Sequence, residues 1–219
     1  MTSTIHWAAV YNTKAHDALS WFRPHLERSL ALIEAAGLDR DAAIIDVGGG
    51  ASTLVDDLLD RGYTDVTVLD LSERAIEVAK TRLGDRAPQV TWIVGDITTV
   101  DLPADRYAFW HDRAVFHFLR EEEARRRYVA NVLHSLHPDG HIVVATFGPE
   151  GPEKCSGLDI VRYDPDSLHA EFGGAFRKVA SETEVHTTPW GSEQQFVYCY
   201  CRVAQGTGVS CPIGVGLNG

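Results

Sequence analysis

The apolar residues of the chain alternate between two spacings. Short continuous apolar runs are typical of strands buried on both faces, and apolar residues three and four positions apart are typical of helices that pack against a sheet. Strands are predicted at residues 42–47, 65–69, 90–94, 107–111 and 141–147, and helices at 24–36, 53–60, 73–83 and 121–136. Because strands and helices alternate, the pattern predicts an α/β fold, a doubly wound parallel sheet with helices on both faces.

The last third of the chain breaks this alternation. A short helix near 165–172 is followed by strands near 176–185 and 194–203, which the segment TTPWGSE joins like a hairpin. The sheet is therefore expected to be mostly parallel, with an antiparallel hairpin at its C-terminal edge.

Neither end of the chain shows a sustained periodic spacing of apolar residues. Residues 1–23 are interpreted as a lead-in with a short helix near 13–19, whereas the last residues are rich in glycine, carry no charge and are expected to be flexible. At 219 residues one domain is the default. The predicted division is a single domain over 1–203, with an N-terminal lid or helical segment at 1–37 and a core at 38–203, followed by a tail at 204–219.

Charge and cysteine content narrow the class of protein. A formal net charge of -11 argues against a surface for nucleic acid and favours a basic or neutral substrate. No apolar stretch approaches the ~20 residues of a membrane helix, and the N-terminus lacks the features of a signal peptide. We therefore expect a cytoplasmic monomer or homodimer that contacts neither membranes nor nucleic acid. Its cysteines are expected as reduced thiols: Cys155, Cys199, Cys201 and Cys211.

Three carboxylates follow the first three predicted strands. Asp46 precedes three consecutive glycines, which let the backbone approach a ligand, and Ser52 stands where the next helix begins and offers free N–H groups. Asp70 ends the second strand and Asp96 follows the third. Together they supply acceptors for an amino group, a ribose and an adenine. Thr53 stands where a dinucleotide fingerprint has glycine, so the pattern fits S-adenosylmethionine better than NAD.

The ordered segments also resemble a known family. IIDVGGGAS, VTVLDLS, VGDI, YAFWHDRAVFHFL and LHPDGHIVVATF look like the successive motifs of class I S-adenosylmethionine-dependent methyltransferases, over roughly residues 40–150. The resemblance implies a Rossmann-like, seven-stranded sheet whose final strand is antiparallel. One departure is Ser52, which replaces the third glycine of the first motif.

The resemblance also implies which residues bind the cofactor. Asp46, Gly48 and Gly50 would face its methionine part, Asp70 and Leu71 the ribose and adenine, Asp96 and Ile97 the adenine, and His111 the sulfonium, with Trp21 and Ser52 as further contacts. The acceptor would contact Tyr11, Arg113, Phe147 and Cys155. No metal is expected, and the product would be S-adenosylhomocysteine.

Four polar residues after the fourth strand are candidates for acid–base or anchoring roles: His111, Asp112, Arg113 and His117. The alternative interpretation is a solvated loop with a structural Asp–Arg pair. Cys155 lies in a loop at 148–158, rich in Gly and Pro, that could fold over the mouth of the site.

Two resemblances suggest different methyl acceptors. The opening HWAAVYN and LSWF look like the lead-in of elongation-factor lysine methyltransferases, whereas WHDRAVF looks like thiopurine and other small-thiol methyltransferases. We expect methyl transfer to a small-molecule nucleophile, with a thiol or another soft nucleophile favoured, because a thiol needs little help from a base. The alternatives are a lysine methyltransferase acting on a basic protein, and a protein that binds the cofactor without catalysis.

Overall fold

The computed structural model describes residues 2–13 and 19–204. Seven strands form one sheet in the order β3-β2-β1-β4-β5-β9-β8, and two short strands, β6 and β7, pair separately. The strands are β1 (Ile44–Val47), β2 (Val66–Asp70), β3 (Val90–Val94), β4 (Tyr107–Arg113), β5 (Leu136–Phe147), β6 (Lys154–Cys155), β7 (Leu158–Asp159), β8 (Phe176–Thr187) and β9 (Glu193–Val203). The helices are α1 (Thr2–Thr13), α2 (Glu27–Ala35), α3 (Leu54–Asp60), α4 (Glu73–Leu83), α5 (Glu122–Ser135) and α6 (Pro165–Phe172).

The mostly parallel sheet with an antiparallel edge is confirmed. Strands β1 to β5 run parallel to their neighbours, while β9 pairs antiparallel with both β5 and β8. β5 begins at Leu136, five residues before the predicted start, because Leu136 pairs with Tyr107 across an irregularity in the register. The parallel strands place the residues that follow β1, β2, β3 and β4 at one edge of the sheet, where a ligand site is expected.

Alternate residues of the central strands enter two separate cores. Ile44 packs with the apolar sides of α2 and α3, whereas Ile45 packs on the opposite face with side chains of α5 and α6. Both isoleucines are fully buried. This arrangement is the one that a strand buried on both faces requires. None of the helices in the described ranges is long and apolar enough to cross a membrane.

The N-terminal region differs from its prediction. A helix occupies Thr2–Thr13, where the sequence shows no sustained apolar period. Its cavity-facing aromatic residues, Trp7 and Tyr11, pack against Trp21 and Phe118. These contacts come from distant parts of the chain, which explains why local periodicity missed the helix. Most of the helix predicted near 13–19 and nearly all of the predicted tail fall outside the described residues.

Candidate active site

The turn after β1 is shaped by glycines at two close approaches. Gly48 has a φ of +70°, and a Cβ there would collide with a methyl group of Val115. Gly50 lies against the carboxylate of Asp70 and the methyl group of Ala75, which leave no room for a side chain. The backbone can therefore approach the ends of β2 and β4 closely.

Arg82 of α4 holds this turn from the outside. Its guanidinium donates to the carbonyl oxygens of Ala51 at 3.0 Å and Ser52 at 2.6 Å, and it forms an ion pair with Asp56 at 2.7 Å. The Ser52 hydroxyl accepts the Leu54 N–H at 3.2 Å, whereas Thr53, the N-cap residue of α3, makes no side-chain capping hydrogen bond. The sequence analysis did not identify Arg82, because its partners lie about 30 residues away.

Asp46 has one oxygen bonded and one free. Oδ1 lies 2.7 Å from Nδ1 of His111, whose Nε2 lies 2.8 Å from Oγ of Ser29. Asp46 and His111 are buried. Within the described part of the chain, Oδ2 of Asp46 has no hydrogen-bond partner. His111 therefore positions Asp46, while the second oxygen remains an acceptor for a cationic group.

Asp70 is buried at the end of β2. Its Oδ1 accepts the Ser72 N–H at 2.7 Å, and the N–H groups of Gly50 and Leu71 also donate to the carboxylate. Burial and the neighbouring Asp46 raise the pKa of Asp70 to about 7, although the three N–H groups lower it. The carboxyl group therefore titrates near neutral pH.

Asp96 differs from Asp70 in its exposure. It is exposed, and its Oδ1 accepts from the backbone N–H of Thr98 at 2.9 Å and from the Thr98 hydroxyl at 2.7 Å. The next side chain, Ile97, is buried and lines the same cavity. The turn thus presents a carboxylate beside an apolar surface.

Two adjoining cavities open at the carboxyl ends of β1 to β4, with volumes of about 260 Å³ and 40 Å³. Six of the predicted cofactor contacts line the larger one: Trp21, Gly48, Asp70, Leu71, Asp96 and Ile97. Asp46, Ser52 and His111 line the smaller one. Gly50 lines neither and instead supports Asp70.

The two cavities have four lining residues in common: Tyr11, Trp21, Gly48 and Arg113. The roles of these residues in binding remain predictions.

An aromatic cover lines one side of the larger cavity. We define the cover as Trp7, Tyr11, Trp21 and Phe118. The ring of Trp7 lies 5.3 Å from Phe118 and 5.7 Å from Trp21, in edge-to-face geometry, and Tyr11 lies 6.5 Å from Trp21. Trp7 and Phe118 were not among the predicted site residues. Burial, with the Asp70 carboxylate adding to it, raises the pKa of Tyr11 well above its usual value.

Arg113 lies where the two cavities meet. Its Nε donates to the Tyr198 hydroxyl at 3.1 Å, its Nη1 donates to the Trp21 carbonyl at 3.2 Å, and the guanidinium lies 4.1 Å above the ring of Phe196. Its Nη2 is buried without a hydrogen-bond partner among the described residues. The side chain is thus held in place, and both N–H bonds of Nη2 stay unused.

The four residues predicted for acid–base or anchoring roles do not all face the cavities. Asp112 is fully buried, accepts from the Val115 N–H at 2.9 Å and the Tyr128 hydroxyl at 2.7 Å, and has its pKa raised to about 6 by burial. The expectation that Asp112 faces the acceptor is therefore wrong, and so is the alternative of a solvated loop with an Asp112–Arg113 pair. Its carboxylate instead fixes the turn after β4.

His117 also points away from the cavities. Its ring is buried between Phe118 at 4.5 Å and Phe147 at 4.9 Å, and burial, with the charge of Arg113 adding to it, lowers its pKa to about 3. Phe147 packs 4.8 Å from Phe196 and lines neither cavity. His117 and Phe147 therefore pack behind the cavity wall, which corrects the acid–base or anchoring role expected of His117 and the acceptor contact expected of Phe147.

Cys155 lies in β6 and lines the larger cavity, as expected for a residue near the mouth. Burial raises the pKa of its thiol to about 12, although the charge of Arg113 lowers it. The thiol is therefore neutral at physiological pH. Within residues 2–13 and 19–204, no group of three or more His, Cys, Asp or Glu side chains is arranged to hold a metal ion.

Comparisons with known proteins match this architecture. Residues 44–140 match the methyltransferase domain family. The chain is 26% identical over 133 residues to the eEF1A lysine and N-terminal methyltransferase of Mus musculus, covering 60% of this chain and 19% of that protein.

Two solved structures share the fold. One, from a study of the conversion of a disulfide bond into a thioacetal group during echinomycin biosynthesis, has a TM-score of 0.75 at 16% identity and covers 94% of this chain and 93% of its own. The other is the Burkholderia thailandensis 1,6-didemethyltoxoflavin-N1-methyltransferase with 1,6-didemethyltoxoflavin and S-adenosylhomocysteine bound. Its TM-score is 0.64 at 19% identity, with 93% of this chain and 84% of its own covered.

The family match and the strand order identify residues 44–140 as a class I S-adenosylmethionine-dependent methyltransferase domain. The chain spans about a fifth of the length of the mouse relative, so the reaction and the acceptor of the whole protein are proposals.

Proposed function

We propose that the protein transfers a methyl group from S-adenosylmethionine to a small-molecule acceptor. The observation that carries this proposal is the cavity of about 260 Å³ beside the aromatic cover, which is lined both by residues predicted to bind the cofactor and by residues predicted to bind the acceptor. Concave, mostly apolar cavities with a few polar groups are typical of small-molecule sites.

The residues present fit the cofactor. The free Oδ2 of buried Asp46 supplies an acceptor for an ammonium group, and Asp70 supplies acceptors for ribose hydroxyls. Leu71 and Ile97 offer apolar contact to a base beside Asp96. When bound, S-adenosylmethionine supplies a methyl group activated by a positively charged sulfur.

The protein's own contribution is orientation and the exclusion of water. Among the described residues that line the larger cavity, the thiol of Cys155 and the phenol of Tyr11 have raised pKa values and keep their protons at neutral pH, while the carboxylates of Asp70 and Asp96 would contact the cofactor. No described residue of this cavity is then left to act as a base on the acceptor. In the smaller cavity, both ring nitrogens of His111 are engaged. An acceptor that ionises without a base suits this site, which favours a thiol, whose ordinary pKa is ~8.5. The similar structure from the disulfide-to-thioacetal study supports a sulfur acceptor.

The second candidate is a protein lysine. The mouse relative is named as an eEF1A lysine and N-terminal methyltransferase, and the net charge of -11 would attract a basic protein. The aromatic cover favours the small acceptor, because a lysine on a folded protein would have to reach past these rings.

The experiment begins with calorimetric binding of S-adenosylhomocysteine. Radiolabelled S-adenosylmethionine is then supplied with a panel of small thiols, amines and carboxylates and, separately, with purified elongation factor 1A. The Asp70→Ala variant serves as the control. We expect labelled small thiol products from the wild-type protein only. Labelled protein without small-molecule product would favour the second candidate, and cofactor binding with no product from any acceptor would refute catalysis.

A further inference from the structure

His186, near the end of β8, connects the sheet to the segment before α2. Its Nδ1 accepts a hydrogen bond from Nε of Arg23 at 2.9 Å, and its Nε2 donates to the carbonyl oxygen of Ser20 at 2.7 Å. The imidazole is fully buried and lies edge-on to the ring of Phe196, 6.0 Å away. One side chain of the sheet therefore holds both ends of the pre-α2 segment, which we define as residues 20–23.

The two bonds determine the protonation state of His186. Nε of an arginine carries a hydrogen and can only donate, so Nδ1 of His186 is unprotonated; a carbonyl oxygen can only accept, so Nε2 carries the proton. The ring is therefore neutral. A proton added at Nδ1 would point at the N–H of Arg23 and place two cations side by side, so this bond does not survive protonation. Arg23 would keep its ion pairs with Glu27 and Glu184, each at 3.3 Å.

The charged groups that face the imidazole are Arg23 before α2, Arg113 at the end of β4 and Glu184 on β8. Burial lowers the pKa of His186 most, and the charges of the two arginines lower it further. Glu184 opposes them, but its carboxylate is shared with Arg23 and with the Tyr198 hydroxyl of β9, which donates to it at 2.9 Å. The surroundings thus favour the same neutral form that the hydrogen bonds require.

The pre-α2 segment forms part of the walls of both cavities. Trp21 lines both, and Arg23 lines the smaller one. Apart from His186, the segment accepts a hydrogen bond from Arg113 at the Trp21 carbonyl, at 3.2 Å, and one from Thr53 at the Arg23 carbonyl, at 3.0 Å. Release from His186 therefore loosens the segment beside the site while these bonds and the sheet stay in place.

We propose that His186 is a positioning residue whose neutral form holds the pre-α2 segment against the two cavities, and that a proton bound at its Nδ1 releases the segment. The inference goes beyond the proposed methyl transfer, because neither the contact nor its titration depends on the acceptor. The proton comes from solvent and returns to it. Since protonation favours the released arrangement, the closed one is fully stable above the ordinary imidazole pKa of ~6.5 and loses stability as the pH falls below it.

The first measurement identifies the tautomer. Protein with nitrogen-15-labelled histidine is studied at pH 7.5 by long-range proton–nitrogen correlation NMR, in which protonated and unprotonated ring nitrogens have well-separated shifts. The signals of His186 are those missing from the His186→Gln spectrum. We expect an unprotonated Nδ1 and a protonated Nε2. An imidazolium, or a ring protonated at Nδ1, would overturn the inference.

The second measurement follows amide hydrogen exchange by mass spectrometry at pH 5.0 and pH 7.5, corrected for the intrinsic exchange rate. The reporter is the peptide over residues 19–23, in which the Phe22 N–H donates to the Leu19 carbonyl at 3.0 Å. The peptide that contains β1 serves as the reference for global unfolding, because β1 is buried throughout.

Three variants separate the contact from its titration. His186→Gln supplies an amide that can accept from Arg23 and donate to Ser20 but does not titrate. His186→Phe keeps an aromatic ring and supplies neither bond. His134→Gln is the matched control, since His134 is exposed in the last turn of α5.

We expect protection of residues 19–23 in the wild-type protein to fall roughly 10-fold from pH 7.5 to pH 5.0, while β1 stays protected. His186→Gln should keep the protection at both pH values, and His186→Phe should lack it already at pH 7.5. His134→Gln should behave like wild type. For an acceptor found with the panel above, KM at pH 7.5 should rise several-fold in His186→Phe, and His186→Gln should restore most of it.

Three outcomes of the exchange measurement would also overturn the inference. They are protection that does not change with pH in the wild-type protein, the same acid loss in His186→Gln, and wild-type protection in His186→Phe. The comparison of wild type with His186→Gln stands even where His186→Phe does not fold. None of the NMR and exchange readouts involves methyl transfer, so the absence of a methylated product would refute the proposed function alone.

Discussion

The two walls of the active site are built in different ways. The wall formed by Asp46, Asp70 and Asp96 uses three neighbouring parallel strands and the turns that follow them. The opposite wall joins α1, the segment before α2, the turn after β4 and strand β6, which are far apart in the chain. The first wall is held by backbone N–H groups at Asp70 and by the side chains of His111 and Arg82, the second mainly by ring contacts.

This difference indicates which residues of the site can be substituted without affecting the other wall. The carboxylate of Asp70 is fixed by N–H groups of a turn that Arg82 holds in place. The cover, in contrast, is joined to the sheet by the Arg113 bond to the Trp21 carbonyl and by His186, whose Nε2 lies 2.7 Å from the carbonyl of Ser20. We therefore expect changes in the first wall to affect the cofactor and changes in the second to affect the acceptor.

The largest expected effect is that of Asp70→Ala on cofactor affinity. Removing a buried acceptor of charged hydrogen bonds costs about 1.5–3 kcal/mol, which corresponds to a roughly 10- to 150-fold weaker Kd for S-adenosylhomocysteine. Calorimetry measures the change. The matched control is Asp65→Ala, which removes a carboxylate beside the opposite end of β2 that pairs with Arg106. Equal affinity of both variants and wild type would show that the ribose does not bind at Asp70.

The second effect is a pH dependence of the same affinity. Burial raises the pKa of Asp70 to about 7 in the protein without ligand. Ribose hydroxyls donate to the ionised form, so the ligand must displace a proton below this pKa, and affinity is expected to rise about 10-fold from pH 6 to pH 8. Asp70→Asn, which does not titrate, should remove the dependence. A rise that persists in Asp70→Asn would assign it to another group.

The smallest effect tests the aromatic cover. Trp7→Ala removes the ring that contacts Tyr11, Trp21 and Phe118, so the KM for a small acceptor is expected to rise several-fold. The Kd of S-adenosylhomocysteine should change by less than about twofold. Ile5→Ala on the same helix is the matched control, because Ile5 is 74% exposed. A larger effect on the cofactor than on the acceptor would mean that the two walls are not separable.

Much of the wall formed by Asp46, Asp70 and Asp96 could be predicted from the sequence. Asp46, Asp70 and Asp96 directly terminate or follow buried apolar strands, and parallel strands bring such positions to one edge. The bounds of α4 and α6 and of β3 agree with the predicted ranges, because each helix has a clear apolar period and a capping residue: Ser72 for α4 and Asp164 for α6.

The predictions from the sequence were wrong where residues that are close in the chain face different environments. His111, Asp112, Arg113 and His117 were expected to act together, but strand alternation and the following turn send them in different directions. His111 turns to Asp46 and Ser29, and Asp112 turns to Tyr128. His117 enters an apolar cluster, and only Arg113 reaches the larger cavity.

The sequence by itself determined the alternation of strands and helices, the antiparallel edge and the three carboxylates at the strand ends. These features depend on local apolar periods, glycines and capping residues, which are contiguous in the chain. Only the tertiary structure decided the position of α1 over the cavity, the bonds of Arg82 to the glycine turn and the free donor of Arg113. These depend on contacts between residues far apart in sequence, whose geometry is fixed only once both cores have packed against the sheet.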